Sequence, residues 1–142
     1  MTIEILHKFN ENEFQDMKRL MSVLSNHTEL TLDMLTTAMQ SSKVYVIRDQ
    51  ERIIGTASLC PFSSPTGKKA NIEDVVILPK YQGKGLGRRL MEKIIEDAGK
   101  LQPITLYLTS RPSRTAANIL YQKLGFEQKE TNVYFMKLSP KI

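Results

Sequence analysis

Ile72-Glu73-Asp74-Val75-Val76-Ile77-Leu78-Pro79-Lys80-Tyr81-Gln82-Gly83-Lys84-Gly85-Leu86-Gly87-Arg88-Arg89-Leu90-Met91-Glu92-Lys93-Ile94-Ile95-Glu96 decides how the rest of the chain is read. A β-branched run, Val75 to Ile77, meets a proline and a turn. Three glycines then follow at alternate positions, and after them apolar residues recur with helical period. The segment predicts a strand, a glycine-rich turn and a helix from about Leu86 to Gly99, with Leu90, Met91, Ile94, Ile95 and Ala98 buried and Arg88, Arg89 and Lys93 on the polar side.

A strand-turn-helix junction of this kind suits a phosphate. The first helical N–H groups have no intrahelical acceptor and carry partial positive charge, and glycine lets a ligand approach the backbone. Two phosphate loops are excluded by spacing. The dinucleotide fingerprint G-x-G-x-x-G requires glycine where Arg88 stands, and the triphosphate loop G-x-x-x-x-G-K-[ST] is absent. What fits is Gln82-x-x-Gly85-x-Gly87. Here the chain resembles the GNAT superfamily of acetyl-coenzyme A-dependent N-acyltransferases, whose pyrophosphate segment reads Q/R-x-x-G-x-G/A after a central strand. Leu120-Tyr121-Gln122-Lys123-Leu124-Gly125-Phe126 resembles the second signature of that superfamily, a helix ending in L-Y-x-K-x-G-F.

The remaining chain reads as short elements in one order. Residues 2 to 8 alternate loosely and predict an edge strand that includes His7. A helix from Asn12, with Asn12 as its cap, places Phe14, Met17, Leu20, Met21 and Leu24 on one face. The pattern breaks at Asn26-His27-Thr28, and Thr28 or Thr31 opens a second helix through Leu32, Leu35 and Met39. Strands at 43–48 and 52–60 form a hairpin around Asp49-Gln50-Glu51. Pro61 to Lys69 has the composition of a loop, and a strand follows from Ala70 to Leu78. Beyond the central helix come a strand at 104–109, a helix capped by Ser113 and stopped by Gly125, and two short strands at 126–129 and 132–138. The predicted order is βααβββαβαββ: a single α/β domain over residues 1–142, with a mixed central sheet and helices on both faces.

Composition narrows the class. A chain of 142 residues, 41% hydrophobic, supports one core. No apolar run approaches the ~20 residues of a membrane span, and the N-terminus lacks a leader pattern, so a soluble cytoplasmic protein without membrane partners is expected. One cysteine, Cys60, permits no intrachain disulfide and no thiolate metal pair, and reads as a buried thiol. No metal is expected. The net charge of +5 would suit nucleic acid, but there is no basic run with interleaved aromatics, and an anionic coenzyme accounts for it.

The resemblance implies acetyl-CoA as co-substrate and assigns roles residue by residue. Backbone N–H groups from Gly83 through Lys84, Gly85, Leu86 and Gly87 would take the pyrophosphate, with Gln82 at the loop entrance and Lys84 and Arg88 adding charge. A backbone N–H near Val76 or Ile77, on a strand splayed from its neighbour, would face the thioester carbonyl. Tyr121 would protonate the departing thiolate, and Asn118, one turn earlier, would contact the coenzyme arm. The two N-terminal helices would lie over the acceptor site. For the base, Glu73 and Asp74 both remain candidates. Adjacent strand residues point to opposite faces, so at most one is expected at a given site. Many members place a glutamate on this strand, whereas Ile72-Glu73-Asp74 also resembles the run in glucosamine 6-phosphate N-acetyltransferases, which implicates the aspartate. Arg88, Arg89 and Lys93 read as a solvated helix face or as ligands of outer coenzyme phosphates. Arg111 and Arg114 read as anion ligands or as caps. The expected activity is direct acetyl transfer to a primary amine of a small molecule or peptide. The alternative is a coenzyme-binding sensor or accessory domain without turnover. A monomer and a homodimer fit the sequence equally.

Overall fold

Val44, Tyr45, Val46 and Ile47 are all buried, a burial that a strand reaches where both faces of its sheet are covered. The computed structural model, which describes residues 1–25 and 28–140, places them in β2 (Lys43–Asp49). The other strands are β1 (Thr2–Ile5), β3 (Arg52–Ser64), β4 (Gly67–Ile77) and β5 (Thr105–Tyr107). They form one sheet in the order β1-β2-β3-β4-β5, antiparallel except for the parallel pair β4 and β5. The sheet is mixed, as expected. The chain divides into two units, Met1–Thr109 and Ser110–Ile142, each described by itself.

In the first unit the period-two alternation of β2 sends side chains to two different layers. Val44 and Val46, with Ile53 and Val76, pack against Phe14, Met17, Leu20 and Met21 of α1 (Glu11–Leu24) and Leu35 of α2 (Leu32–Ser41). Tyr45 points the other way, and its hydroxyl donates to Asp97 Oδ2 of α3 (Leu86–Gly99) at 2.7 Å. Leu90, Met91 and Ile94 of α3 are fully buried, and each such side chain removed from water contributes roughly 1.5–3 kcal/mol. Ile95 is only half-buried, whereas Asp97 is buried on the face that meets Tyr45. Gly55 sits between Ile47 and Ile77 in the strand register. A Cβ there would come within 2.7 Å of Ile77 Cδ1 and 3.0 Å of Ile47 Cδ1.

Local chemistry sets the helix starts. α1 begins after Asn10, not Asn12: Asn10 Oδ1 accepts from Glu13 N at 2.8 Å and Glu13 Oε1 accepts from Asn10 N at 3.0 Å. The two bonds form a reciprocal capping box at Asn10 and Glu13. Thr31 caps α2, with its Oγ1 accepting from Met34 N at 3.1 Å. The break expected at Asn26-His27 lies outside the described residues. β1 is the edge strand but ends at Ile5, leaving His7 exposed beyond it.

Pro61 to Lys69 is not a loop. β3 and β4 stay paired to Ser64↔Gly67, turning at Pro65-Thr66. β2 pairs with β3 only as far as Leu59, so Pro61 lies where β3 has a single neighbour and proline's missing donor is tolerated. Cys60 is half-buried rather than buried, and burial pushes its thiol pKa up.

In the second unit, α4 (Thr115–Lys123) has Arg114 as N-cap without a side-chain cap, so Ser113 does not fill that role. Gly125, at φ +102°, ends the helix as expected, with Gly125 N donating to Gln122 O and Phe126 N to Tyr121 O. The two expected C-terminal strands do not form among residues 126–140. Val133, Tyr134, Phe135, Met136 and Leu138 are 70–93% exposed. Alternation gives a segment strand propensity, but a strand exists only when a ladder partner takes its N–H and C=O groups. The observed order is βααβββαβα.

Candidate functional site

The register between β3 and β4 breaks where the two carboxylates stand. Ser58 pairs with Glu73 and Thr56 pairs with Val76, two steps along β3 against three along β4. The extra residue makes a β-bulge opposite Ala57, and Asp74 occupies it at φ +56°, a left-handed conformation that aspartate tolerates better than most residues. The bulge overturns the expectation that Glu73 and Asp74 point to opposite faces. Glu73 shares the row of Ser58, while Asp74 lines a cavity together with Ser58 and Thr56 on the α1 and α2 side of the sheet. That cavity measures about 200 Å³.

Neither carboxylate has an ion-pair partner among the described residues. Burial raises the pKa of both, and for Glu73 the neighbouring Asp74 charge raises it further. Each keeps substantial solvent exposure, so both remain reachable by an incoming group. The hydroxyl of buried Thr56 donates to Tyr45 O at 2.7 Å, leaving its lone pairs to accept.

Downstream, β4 ends at Ile77 and a 3-10 turn spans Pro79–Tyr81 with Pro79 in its first position. Gln82 Nε2 donates to Ile77 O at 2.8 Å, tying the turn to the strand end. Gly83 and Gly85 both adopt φ +77°, and a Cβ on either would meet nothing within 4 Å. Gly85 is the N-cap of α3 and offers no side chain to cap it. The first helical bond is Arg89 N to Gly85 O at 3.1 Å, so the N–H groups of Leu86, Gly87 and Arg88 precede the ladder. Lys84 Nζ lies 5.5 Å from the Tyr81 ring centroid, and the exposed Arg88 is 3.7 Å from Glu92. Open space over left-handed glycines, unpartnered N–H groups and nearby cations fit a diphosphate. Lys93 instead turns to Asp97, 3.3 Å away. Pairing of β4 with β5 stops at Asn71↔Tyr107, so the Val76 and Ile77 stretch has only β3 beside it within this unit.

Asn118 and Tyr121 belong to the second unit. Asn118 Nδ2 donates to the carbonyls of Arg111 and Arg114, both at 2.9 Å, which makes it the local tie of the loop before α4. The side chains of Arg111 and Arg114 are exposed. Tyr121 is buried, with its ring edge-on to Phe126 at 6.2 Å. Burial raises its phenol pKa and Arg114 opposes that shift.

The family model described as Acetyltransferase (GNAT) domain matches residues 40–128. The chain belongs to the GNAT acetyltransferase family. The match runs from the last turn of α2 past α4 and includes both signature stretches. Among curated relatives, the ribosomal protein bS18-alanine N-acetyltransferase of Escherichia coli is 40% identical over 60 residues. That stretch is 42% of this chain and 40% of the relative, so the alignment spans less than half of either protein. Among solved structures, glucosamine-6-phosphate N-acetyltransferase from Arabidopsis thaliana superposes with a TM-score of 0.75 at 19% identity, covering 95% of this chain and 97% of that one. An aminoglycoside N-acetyltransferase in complex with CoA gives a TM-score of 0.74 at 15% identity, covering 97% and 100%. These two likenesses establish the GNAT fold.

The sequence did not single out Thr56 and Ser58. They surfaced only through the bulge, whose one legible sign was an Asp directly after Glu inside an Ile-Val strand. Met17 and Met21, read from helical spacing as core, also line the cavity.

Proposed function

We propose that the chain is an N-acetyltransferase that moves the acetyl group of acetyl-CoA to a primary amine by direct attack in a ternary complex, both units forming one catalytic domain. The observation that carries the reading is the pair of left-handed glycines with open space above them at the uncapped start of α3, directly after a strand bearing two unpaired carboxylates. The family match crosses the boundary between the units, which supports one domain. Acetyl-CoA supplies a thioester whose acetyl carbon accepts the amine nitrogen as the C–S bond breaks. Gly83 to Gly87 hold the pyrophosphate through backbone N–H groups, with Lys84 and Arg88 adding charge and Gln82 keeping the turn against β4. Backbone at Val76 and Ile77 serves the carbonyl oxygen, where a single fixed donor is worth roughly 10²–10³ in rate. Glu73 or Asp74 takes the amine proton, directly or through water. In keeping with the family resemblance, Tyr121 returns a proton to the thiolate. A phenol, with an ordinary pKa of about 10, carries its proton at neutral pH, and burial of Tyr121 pushes in the same direction. In keeping with the same resemblance, Asn118 contacts the coenzyme arm.

Titration calorimetry with acetyl-CoA and a thiol-release assay across an amine panel test the reading. Saturable binding and turnover of at least one amine are expected, whereas no heat at millimolar acetyl-CoA would sink it. Binding without turnover of any amine would favour a coenzyme sensor. Tyr121→Phe should lower kcat by about a hundredfold, the scale of a lost general acid, with acetyl-CoA affinity kept. Unchanged turnover removes Tyr121 from the chemistry.

A further inference from the structure

The cavity beneath α1 and α2 has a one-sided chemistry. Its outer wall is apolar: Met17 and Met21 come from α1, Met34 and Leu35 from α2, and Val44 from β2. Polar groups gather on the β3 and β4 floor, where Thr56, Ser58 and Asp74 stand together. Ser25 and Thr28 complete the polar lining at the helix ends. Among the described lining residues there is no lysine, arginine or histidine.

Those facts discriminate among amine acceptors. An ammonium group brings positive charge and three donors, and the floor answers with a carboxylate that has no cation partner and with hydroxyl oxygens that can accept. An acceptor carrying phosphate or carboxylate near its amine would be placed beside Asp74 with no cation among the described lining residues to offset the repulsion. A sugar-like acceptor would bury hydroxyls against thioether and alkyl walls that cannot hydrogen-bond them. Methionine thioethers adapt to varied apolar shapes without demanding one outline. A volume of about 200 Å³ suits a chain or ring of a few carbons rather than an oligosaccharide or a folded protein segment.

We infer that the acceptor is a small hydrophobic primary amine, its ammonium held at Asp74 on the bulged strand and its apolar body lodged between the methionines of α1 and α2. The inference rests on the acetyltransferase reading and adds the substrate class. The amine enters as the cation, gives up one proton to Glu73 or Asp74 and attacks through the freed nitrogen lone pair; as the C–S bond breaks, the nitrogen loses its second proton and the thiolate leaves protonated.

Three probes that share an aminoethyl unit test it: hexylamine, ethanolamine and O-phosphoethanolamine, each with saturating acetyl-CoA. Each methylene buried is worth about fourfold, so hexylamine should exceed ethanolamine in kcat/KM by about ten- to a hundredfold, and O-phosphoethanolamine by more. Equal or higher kcat/KM for O-phosphoethanolamine overturns the inference while leaving the acetyltransferase reading intact. Loss of acetyl-CoA binding itself marks failure of the broader reading instead. Binding supplies an arm that needs no turnover: hexylamine titrated into the CoA-loaded protein should give a saturable heat that Asp74→Asn abolishes, and no heat overturns the inference. Met34 is 44% exposed on α2, so Met34→Lys can be tested without opening the core. The added cation should lower kcat/KM for hexylamine at least about tenfold and leave acetyl-CoA affinity within about twofold. An unchanged hexylamine rate removes the cavity from acceptor binding.

Discussion

Gly85 shows most directly how one residue carries the site. Its φ of +77° costs a non-glycine residue about 1 kcal/mol or more, and a Cβ would project into the open space proposed for the coenzyme pyrophosphate. Gly85→Ala should therefore weaken acetyl-CoA binding by about tenfold or more in calorimetry while lowering stability by only about 1 kcal/mol. Equal affinity in that variant would show that the turn is structural only. Asp74 is the counterpart upstream. It also adopts positive φ, but its use comes from where the bulge aims it rather than from the space around its backbone. The glycine spacing was legible because glycine's conformational licence is written in its identity. The aim of Asp74 was not, because strand alternation predicts the opposite until an extra residue breaks it.

At the scale of elements, β4 joins the two halves of the proposed chemistry and is held by rows that cross it. In the row Ile47-Gly55-Ile77 both isoleucines close over the glycine. Gly55→Ala should cost about 1–3 kcal/mol, measured by urea denaturation, because the added methyl forces both isoleucine ends aside in a packed layer. A neutral result would mean that those ends shift freely. The extent of α3 followed from its apolar period and from the glycines before it. The long β3–β4 hairpin did not, since Pro61 and the Ser-Pro-Thr-Gly composition read as loop. Pro61 is accommodated because it lies past the end of β2, a fact of register rather than of composition.

For the whole molecule, ionisable groups set opposing trends with pH. Burial alone would raise Glu13, Asp16 and Asp97, but their hydrogen bonds and cations outweigh it and hold all three below the usual carboxylate range. Asp16 accepts from Arg52, Arg19 and Ile53 N, Glu13 meets Arg48, which also meets Glu4, and Asp97 meets Tyr45 and Lys93. Groups with lowered folded pKa stabilise above their unfolded value of about 4, and that contribution is lost as pH falls through the folded value. Glu73 and Asp74, raised, act with the opposite sign: their contribution is full below about pH 4 and lost as pH rises through the raised value. Three tied carboxylates against two loosely held ones predict a lower Tm at pH 3 than at pH 7, and Asp16→Asn should narrow that difference. A melt with no pH dependence would show that these ion pairs contribute nothing. No helix among the described residues is long and apolar enough to cross a membrane.

The family was readable from the sequence, as was the backbone of the glycine turn proposed to hold the coenzyme, because both depend on local chemistry: glycine's left-handed backbone, a helix start without a capping side chain, and the period of apolar residues that buries α3. Layering was readable too, since an order that mixes strands with amphipathic helices implies helices on both faces of one sheet. Tertiary structure alone decided which carboxylate faces the cavity, what lines it, and that residues 126–140 form no strand. Each of these depends on register and pairing between segments distant in sequence, where one inserted residue reverses every side chain beyond it.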